Sequence, residues 1–483
     1  MKACMRERVW RGLPWVALCA VVLCLMYPLI WPSQGRLRGD EPSGAAKEQP
    51  SSYDQVSNVL LGKETFEKML ASDKAGKAAV NERQKKLLEE RYDLTPRVEP
   101  KITMTRGKPI PVGPTAKLTD ETTWEKLAGM TPGEIREKGL FPKGFLPLPH
   151  PHHEVGGMVF PQAEVKLLSR LERFDLDFDL PEQFLPEFPP AIFLTTRPDL
   201  GDVSKGKVVT LDNYNEIFNG ILNSKDLEGV RLLVTQFPQQ QFNATYDRKS
   251  EKPSQGVACL DCHVNGHTSA ATHLVGDIRP QSHRRRIDTP SLRGVNIQRL
   301  FGSQRALKSI EDFTEFEQRA AYFDGDILSS AAKGINPLER GSQVHFMAEF
   351  QELLAFPPAP LGLDGKLDRG HFTANSAEMR GQELFFGKAQ CSICHPAPYY
   401  TDNLMHDLKV ERFYKPQTIN GLVATAQGPI KTFTLRGIKE SPPYLHDGRL
   451  LTLEDTVEFF NLILETKLTK EEKSDLVAFL RQL

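Results

Sequence analysis

The sequence predicts a mainly α-helical fold in which one unit occurs twice behind a proline-rich, partly extended N-terminal region. The string C-x-x-C-H occurs as CLDCH at 259–263 and again as CSICH at 391–395. The segment DTPSLRGV (288–295) resembles KTFTLRGI (431–438), and an acidic helix start, SIED or TLED, follows each at the same distance. Equal spacing of both flanks indicates two homologous units, which we place at 251–370 and 371–483.

The N-terminal 31 residues predict an export segment. Lys2, Arg6, Arg8 and Arg11 precede an uncharged stretch at 12–31. About 20 apolar residues can span a bilayer as a helix, and basic residues mark the cytoplasmic flank. A signal anchor and a cleaved signal peptide both stay open. Either one predicts a periplasmic or other extracytoplasmic protein, and the anchor would hold it in the inner membrane.

Two further segments precede the repeated units. Residues 32–105 are polar, and we interpret them as a tether. Residues 106–250 contain short apolar runs broken by many prolines, which predicts an accessory region packed on the repeated units. The chain has 61 basic and 62 acidic residues, so the charge balance does not favour a nucleic-acid partner.

The cysteines indicate the chemistry of the repeated units. Of seven cysteines, three lie in the first 24 residues and the other four are Cys259, Cys262, Cys391 and Cys394. The pattern C-x-x-C-H is typical of covalent attachment of haem c. Zinc is the rival, but it would need a further ligand at each string. We therefore predict two covalently bound haem c groups with His263 and His395 as proximal iron ligands.

The sixth iron ligand decides what such a site can do. An open position binds peroxide or dioxygen, whereas a second histidine or methionine makes an electron-transfer centre. For the first haem the candidates nearby are His267, His273 and His283. For the second haem they are Met405, His406 and His446.

The second unit is the more readable of the two. Gly381 and Phe385 lie on one face of a predicted helix, which lets another helix cross closely at the glycine. The last 16 residues supply that second helix, with Thr469 and Glu472 as a capping box at its start.

Residues 250–483 resemble the bacterial diheme cytochrome c peroxidase and MauG-type family. Two C-x-x-C-H strings and the segment TFTLRGIKESPPYLHDGRLLTLEDTVEFFN carry the resemblance. It implies two cytochrome-c-like domains facing each other, with peroxide or dioxygen at the first haem and the second haem relaying electrons. It also implies a small redox donor protein, of cytochrome c or cupredoxin type, and a calcium ion between the domains. A diheme cytochrome that only transfers electrons is the alternative.

The chain departs from the family on the distal sides. Gly302 stands where the family has a tryptophan, and Phe460 stands where the relay haem has its ligand, so His446 is the first substitute. The family's distal glutamate is also missing, and the acids that could replace it are Glu311, Glu315, Glu317 and Asp324. Because we align Gly302 with His446, we expect unequal irons, with that of His263 the reactive one.

Overall fold

The computed structural model describes residues 66–119, 122–151, 158–174, 179–239, 254–275, 285–317, 340–419, 422–424 and 428–483. The structure is mainly helical. Its helices are α1 Phe66–Arg91, α2 Trp124–Ala128, α3 Pro132–Lys138, α4 Gln162–Leu167, α5 Tyr214–Phe218, α6 Ser224–Val234, α7 Cys259–Cys262, α8 Ile310–Phe316, α9 Arg340–Leu353, α10 Ala377–Phe386, α11 Leu453–Ile463 and α12 Lys470–Leu480.

The strands are short and pair antiparallel. One sheet has three strands in the order β3-β7-β8, and the others have two. The strands are β1 Val98–Thr103, β2 Pro109–Pro111, β3 Met158–Val159, β4 Phe193–Leu194, β5 Phe237–Gln239, β6 Ser254–Val257, β7 Thr272–Val275, β8 Arg285–Asp288, β9 Leu354–Ala355, β10 Met405–His406, β11 Gln417–Ile419, β12 Leu422–Ala424 and β13 Ile430–Lys431.

Four predictions fall outside the described residues: the export segment 1–31, the part of the tether that precedes residue 66, His283 and Asp324. Within the part of the chain that the structure describes, no helix is long and apolar enough to cross a membrane.

The tether interpretation of 32–105 is wrong for its second half. Helix α1 runs for 26 residues, and Val80, Gln84 and Leu88 are buried along one of its faces. Tyr92, just after the helix, is buried, and its hydroxyl shares one hydrogen between the Arg449 carbonyl at 2.9 Å and the Gly144 carbonyl at 3.1 Å. A spacing of four residues places these side chains on one helix face, so this segment packs on the body of the protein.

The predicted helix crossing of the second unit is present. Helix α10 packs on α12 at Gly381, where an added Cβ would lie 2.0 Å from the Asp475 carbonyl oxygen. Thr469 and Glu472 form the predicted capping box of α12. A larger residue at 381 would therefore push the two helix backbones apart.

The first unit contains the same crossing, formed by helices far apart in the chain. Helix α6 packs on α9 at Gly229, where an added Cβ would lie 2.1 Å from the Phe346 carbonyl oxygen. Helix α6 belongs to the stretch predicted as accessory region, so the first unit begins before residue 251. The predicted boundary is wrong because the C-x-x-C-H string follows its first helix closely in the second unit, whereas in the first unit Cys259 comes 25 residues after the helix end at Val234.

The stretch from a glycine turn to the next helix has the same backbone in both units, 143 residues apart as counted from Val295 to Ile438. The 3₁₀ turns Val295–Ile297 and Ile438–Glu440 each follow a glycine of positive φ, Gly294 at 72° and Gly437 at 70°. These glycines donate to the carbonyls that follow the crossing helices, at Leu354 and Leu483. Helices α8 and α11 then begin after the caps Ser309 and Thr452.

The segment 106–250 contributes to the cores of both units. Leu127, Ile135 and Phe145 share a core with residues of α11 and α12. Ile192 and Phe218 share another with residues of α6 and α9. In addition, the buried Asp455 at the start of α11 accepts hydrogen bonds from the backbone N–H groups of Thr115 and Ala116.

Candidate haem-binding sites

In the first unit, the string CLDCH forms one helical turn that ends at the histidine. The backbone N–H of His263 donates to the Cys259 carbonyl at 3.1 Å, so the two cysteines and the histidine are the first, fourth and fifth residues of that turn. Asp261 anchors the turn by accepting from the Ala258 N–H at 2.6 Å and by a bidentate ion pair with Arg170. Both cysteine thiols are free.

In the second unit, the string CSICH forms an equivalent turn. The His395 N–H donates to the Cys391 carbonyl at 2.9 Å, and Gln390 enters the turn with a positive φ of 60°. The carbonyl of the second cysteine accepts a backbone N–H in both units, from Ser269 to Cys262 and from Asp402 to Cys394.

Both histidines are oriented by the same kind of hydrogen bond. Nδ1–H of His263 donates to the Pro290 carbonyl at 2.9 Å, and Nδ1–H of His395 donates to the Tyr400 carbonyl at 2.8 Å. A backbone acceptor on Nδ1 fixes the tautomer and leaves Nε2 as the nitrogen that can coordinate a metal. Burial lowers the pKa of His263 to about 4 and also lowers that of His395, which favours the neutral, ligating form.

The surface around the second string suits an apolar planar group. Ile393 is 67% exposed, and Tyr399, Leu404 and Phe433 are also exposed. Three of them lie on adjoining segments of chain, because the neighbours of Phe433 are hydrogen-bonded to two of these residues: Thr434 Oγ1 donates to the Tyr399 carbonyl and the Thr432 N–H to that of Leu404. A porphyrin attached to the neighbouring cysteines would cover such surface, so the residues present fit a haem.

Burial makes the thiols of both strings poor nucleophiles. Burial, followed by the carboxylates of Glu317 and Asp261, raises the pKa of Cys259 to about 12. Burial also raises the pKa of Cys391 to about 12. Reactive cysteines have lowered pKa values, so these thiols have little thiolate character.

Two candidate sixth ligands of the first haem hold other partners. His267 is 2% exposed, its Nε2–H donates to the Glu440 carbonyl at 2.9 Å, and its Nδ1 lies 2.7 Å from Ser291 Oγ. Since both ring nitrogens are hydrogen-bonded, the structure contradicts His267 as a ligand. Nε2 of His273 lies 3.0 Å from Thr289 Oγ1, so this nitrogen is also used in a buried hydrogen bond within the protein.

The candidates for the second haem differ in availability. Nε2 of His406 lies 2.7 Å from Asp402 Oδ2, a hydrogen bond that competes with coordination. Met405 and His446 are half-buried, and both stay predictions. Phe460 packs edge-on against Phe459 and has no atom that could bind iron.

The alignment of Gly302 with His446 is wrong by one residue. The loops 301–307 and 444–450 are each closed by a β-bridge, Phe301 with Leu307 and Tyr444 with Leu450. Positive φ values match at this register: Gly302 at 78° with Leu445 at 66°, and Arg305 at 54° with Gly448 at 68°. The equivalent of His446 is therefore Ser303, which still offers the iron no imidazole.

The acids predicted for the first site occupy different places. Glu311 lies on the surface with Oε1 at 3.6 Å from His345 Nδ1, and its backbone hydrogen bond at the helix start lowers its pKa. Glu315 is half-buried on the same helix. Glu317 is the acid whose charge is felt at Cys259 and Cys262.

Glu164 was missed by the sequence analysis. It is fully buried, and burial followed by the Asp261 charge raises its pKa well above the usual range. Its neighbour Val165 shares a core with Cys262, so Glu164 lies near the first attachment turn. The sequence PQAEVKL gives no sign of this, because a single glutamate at a helix start is ordinarily an exposed residue.

The units contact each other through reciprocal hydrogen bonds. The Asp288 N–H donates to the His446 carbonyl at 2.8 Å, and at the equivalent positions the Lys431 N–H donates to the Ser303 carbonyl at 2.9 Å. Similarly, His267 of the first unit donates to the carbonyl of Glu440 in the second. Asn403 of the second unit donates at 3.3 Å to the carbonyl of Ile297, which is the first-unit equivalent of Glu440. Reciprocity of this kind is typical of a two-fold arrangement.

A buried ion pair reinforces this contact. Arg293 is 5% exposed, and its Nη1 lies 2.7 Å from Glu440 Oε2. Glu440 Oε1 also accepts from the Thr105 N–H at 2.8 Å. Both units and the N-terminal segment therefore meet at one carboxylate.

Within the described ranges, no group of three His, Cys, Asp or Glu side chains is placed to hold a metal ion. Calcium sites also use backbone carbonyls and water, so the calcium ion stays a prediction of the resemblance.

The chain is similar to named peroxidases and to MauG. It is 31% identical over 156 residues to methylamine utilization protein MauG of Methylorubrum extorquens, covering 28% of this chain and 42% of the relative. It is 32% identical over 145 residues to cytochrome c551 peroxidase of Nitrosomonas europaea, again covering 28% and 42%. The predicted resemblance is therefore confirmed, although the chain spans less than half the length of these relatives. No family model matches the chain.

Among solved structures, a MauG-like protein associated with microbial copper homeostasis aligns with 64% of this chain and 94% of its own, at 19% identity and a TM-score of 0.37. Hydrazine synthase of Kuenenia stuttgartiensis aligns with 57% of this chain and 93% of its own, at 18% identity and a TM-score of 0.33.

Proposed function

We propose that this protein is an extracytoplasmic diheme oxidoreductase of the peroxidase or MauG type. In this proposal each C-x-x-C-H turn carries one covalent haem c, and the two units are tandem cytochrome-c-like domains. Peroxide or dioxygen reacts at the haem of His263, and the haem of His395 relays electrons from a small redox protein. The observation that carries it is the pair of oriented histidines in a duplicated backbone.

In this proposal, residues of the first unit hold the haem iron, support the attachment turn and transfer a proton. Haem iron with an open position supplies binding of peroxide or dioxygen and one-electron chemistry. His263 holds Nε2 in place because its Nδ1 is fixed on Pro290. Asp261 and Arg170 hold the attachment turn. Glu317 would hold and move the proton that peroxide chemistry requires, since general acid–base groups must lie within reach of the reacting atoms.

One observation favours the alternative, a diheme cytochrome that only transfers electrons. Of the acids that could replace the distal glutamate, Glu311 lies on the surface against His345. In that case both irons would be six-coordinate and neither would meet peroxide.

Peroxide reduction by the haem-loaded protein, with a reduced cytochrome c as donor, tests the proposal. Cys259→Ser with Cys262→Ser should abolish turnover. Glu317→Gln should lower it about 100-fold, because general acid–base catalysis contributes roughly 10²- to 10⁴-fold. The control Asp312→Asn changes an acid on the same helix, whose carboxylate accepts from the Lys308 N–H, and should leave turnover unchanged. Two bound haems without turnover would favour electron transfer.

A further inference from the structure

Two cations lie together at the contact between the units. Lys431 is 4% exposed, and its Nζ lies 2.8 Å from Gln298 Oε1, a neutral acceptor. Arg305 is close enough for its charge to lower the pKa of Lys431 further, after burial has lowered it, to about 8. Nε of Arg305 is buried and has no hydrogen-bond partner. Neither cation forms an ion pair with a carboxylate among the described residues.

Aromatic rings do not compensate this charge. Nζ of Lys431 lies 5.5 Å from the ring centroid of Phe301 and 5.3 Å from that of Phe433. A cation–π contact recovers only part of the hydration that a buried ammonium loses. Two rings and one amide oxygen therefore leave a positive charge that an anion would offset.

The positive charge of Lys431 and Arg305 is found at only one of the two reciprocal contacts, because the equivalent residues of the repeat are not cations. The equivalent of Lys431 in the first unit is Asp288, and the equivalent of Arg305 in the second is Gly448. Asp288 and Gly448 also lie together, since an added Cβ at 448 would be 3.8 Å from Asp288 Cβ. One of the two reciprocal contacts therefore has a carboxylate and the other has two cations.

We propose that Lys431 and Arg305 bind a carboxylate of the cofactor itself, a propionate of the haem attached to Cys391 and Cys394. This rests on the haem binding of the proposed function. The strand that contains Lys431 leads to Phe433, whose backbone interacts with the His395 ring, so the segment borders the second site. A propionate is the anion that a haem brings with it, and an ammonium and a guanidinium would bind it by charge-assisted hydrogen bonds.

Lys431 is then a positioning residue with an electrostatic effect. A cation beside the haem stabilises the reduced iron, which has one positive charge less than the oxidised iron. Replacing Lys431 with an uncharged residue should therefore make the second haem harder to reduce.

The test compares Lys431→Met, Lys431→Gln and a matched control, Lys366→Met, in the haem-loaded protein. Lys366 also has its Nζ over a phenylalanine ring, 5.2 Å from the centroid of Phe386, but it is exposed. Spectroelectrochemical titration gives the potential of each haem, and resonance Raman spectroscopy gives the propionate bending bands. The variant Cys391→Ala with Cys394→Ala identifies which signals belong to the second haem.

We expect Lys431→Met to weaken reduction of the second haem about tenfold, which is 59 mV for one electron, and to shift its propionate band. Lys431→Gln, which keeps a donor, should shift the potential similarly and the band less, and it serves if the Met variant does not fold. Lys366→Met should change neither. Unchanged potential and bands in both Lys431 variants, with two haems bound, would overturn the proposal, as would a shift confined to the first haem. A protein without haem would instead contradict the proposed function.

Discussion

The two units of this protein share a backbone but differ in charge where they meet. Both have a glycine helix crossing, a C-x-x-C-H turn and a histidine oriented through Nδ1. Yet Asp288 corresponds to Lys431, Arg305 to Gly448 and Ser303 to His446. The comparison teaches that the repeat preserves the side that we propose holds a haem, whereas the two units have diverged in the loops where they meet.

The largest effect should come from the attachment cysteines. We expect Cys259→Ser with Cys262→Ser, and separately Cys391→Ser with Cys394→Ser, each to remove one haem mass, because the thiols would otherwise form the thioether bonds. Intact mass spectrometry measures the number of bound haems. Retention of two haems by either variant would show that the units are not equivalent attachment sites.

Equivalent arginines should respond unequally. Arg293 forms the buried pair with Glu440, whereas Arg436 is half-buried and donates to the Leu483 carbonyl. Arg293→Met should lower the free energy of unfolding by about 4 kcal/mol, since breaking a buried pair leaves a charge uncompensated. Arg436→Met should lower it by about 1 kcal/mol. Urea titration of both variants tests this, and equal losses would contradict the comparison.

Equivalent aspartates at the starts of α11 and α8 should differ in the same way. Asp455 is buried and accepts from Thr115 and Ala116, while Asp312 is half-buried and accepts from the Lys308 N–H. We expect Asp455→Ala to cost about 2 to 3 kcal/mol because buried donors lose their acceptor. Asp312→Ala should cost about 0.5 kcal/mol. Chemical denaturation measures both, and a larger loss at 312 would be contrary to this account.

The pH dependence of Asp455 has a defined sign. Burial raises the pKa of Asp455 in the folded state despite its hydrogen bonds from Thr115. The folded state then binds the proton more tightly than the unfolded state. Its contribution to stability is therefore present at low pH and is lost as pH rises through the raised pKa. Plots of the free energy of unfolding against pH, for the native protein and for Asp455→Asn, should diverge between the unfolded-state pKa of an aspartate and its raised folded-state pKa. Parallel plots would show that the pKa of Asp455 is not raised by folding.

The smallest difference between equivalent residues concerns the helix caps. Ser309 Oγ accepts from the Asp312 N–H at 3.1 Å, and Thr452 Oγ1 accepts from the Asp455 N–H at 3.0 Å. Ser309→Ala should cost about 1 kcal/mol. Thr452→Ala should cost about 2 kcal/mol because its hydroxyl also donates to the Gly113 carbonyl. Thermal denaturation can compare the stability losses of the two variants. A larger loss for Ser309→Ala than for Thr452→Ala would contradict the deeper burial of the second cap.

The sequence predicted features that depend on neighbouring residues. The crossing at Gly381 and the capping box of Thr469 follow from spacings of three and four residues, and both are present. Features that join distant segments were not predictable. The pair of Arg293 with Glu440 spans 147 residues, and no local pattern distinguishes it from other charged residues. Helix α1 was misjudged because Gln84 lies within its buried face and breaks the apolar pattern.

The central claim is that one backbone holds two unequal irons. Electron paramagnetic resonance of the oxidised and half-reduced protein, with and without cyanide, tests it most directly. Variants lacking one cysteine pair assign each signal. We predict that the haem of His263 binds cyanide first and is high-spin in at least one redox state, while the haem of His395 stays low-spin. Binding first at the haem of His395, or at neither haem in any redox state, would contradict this account and favour electron transfer.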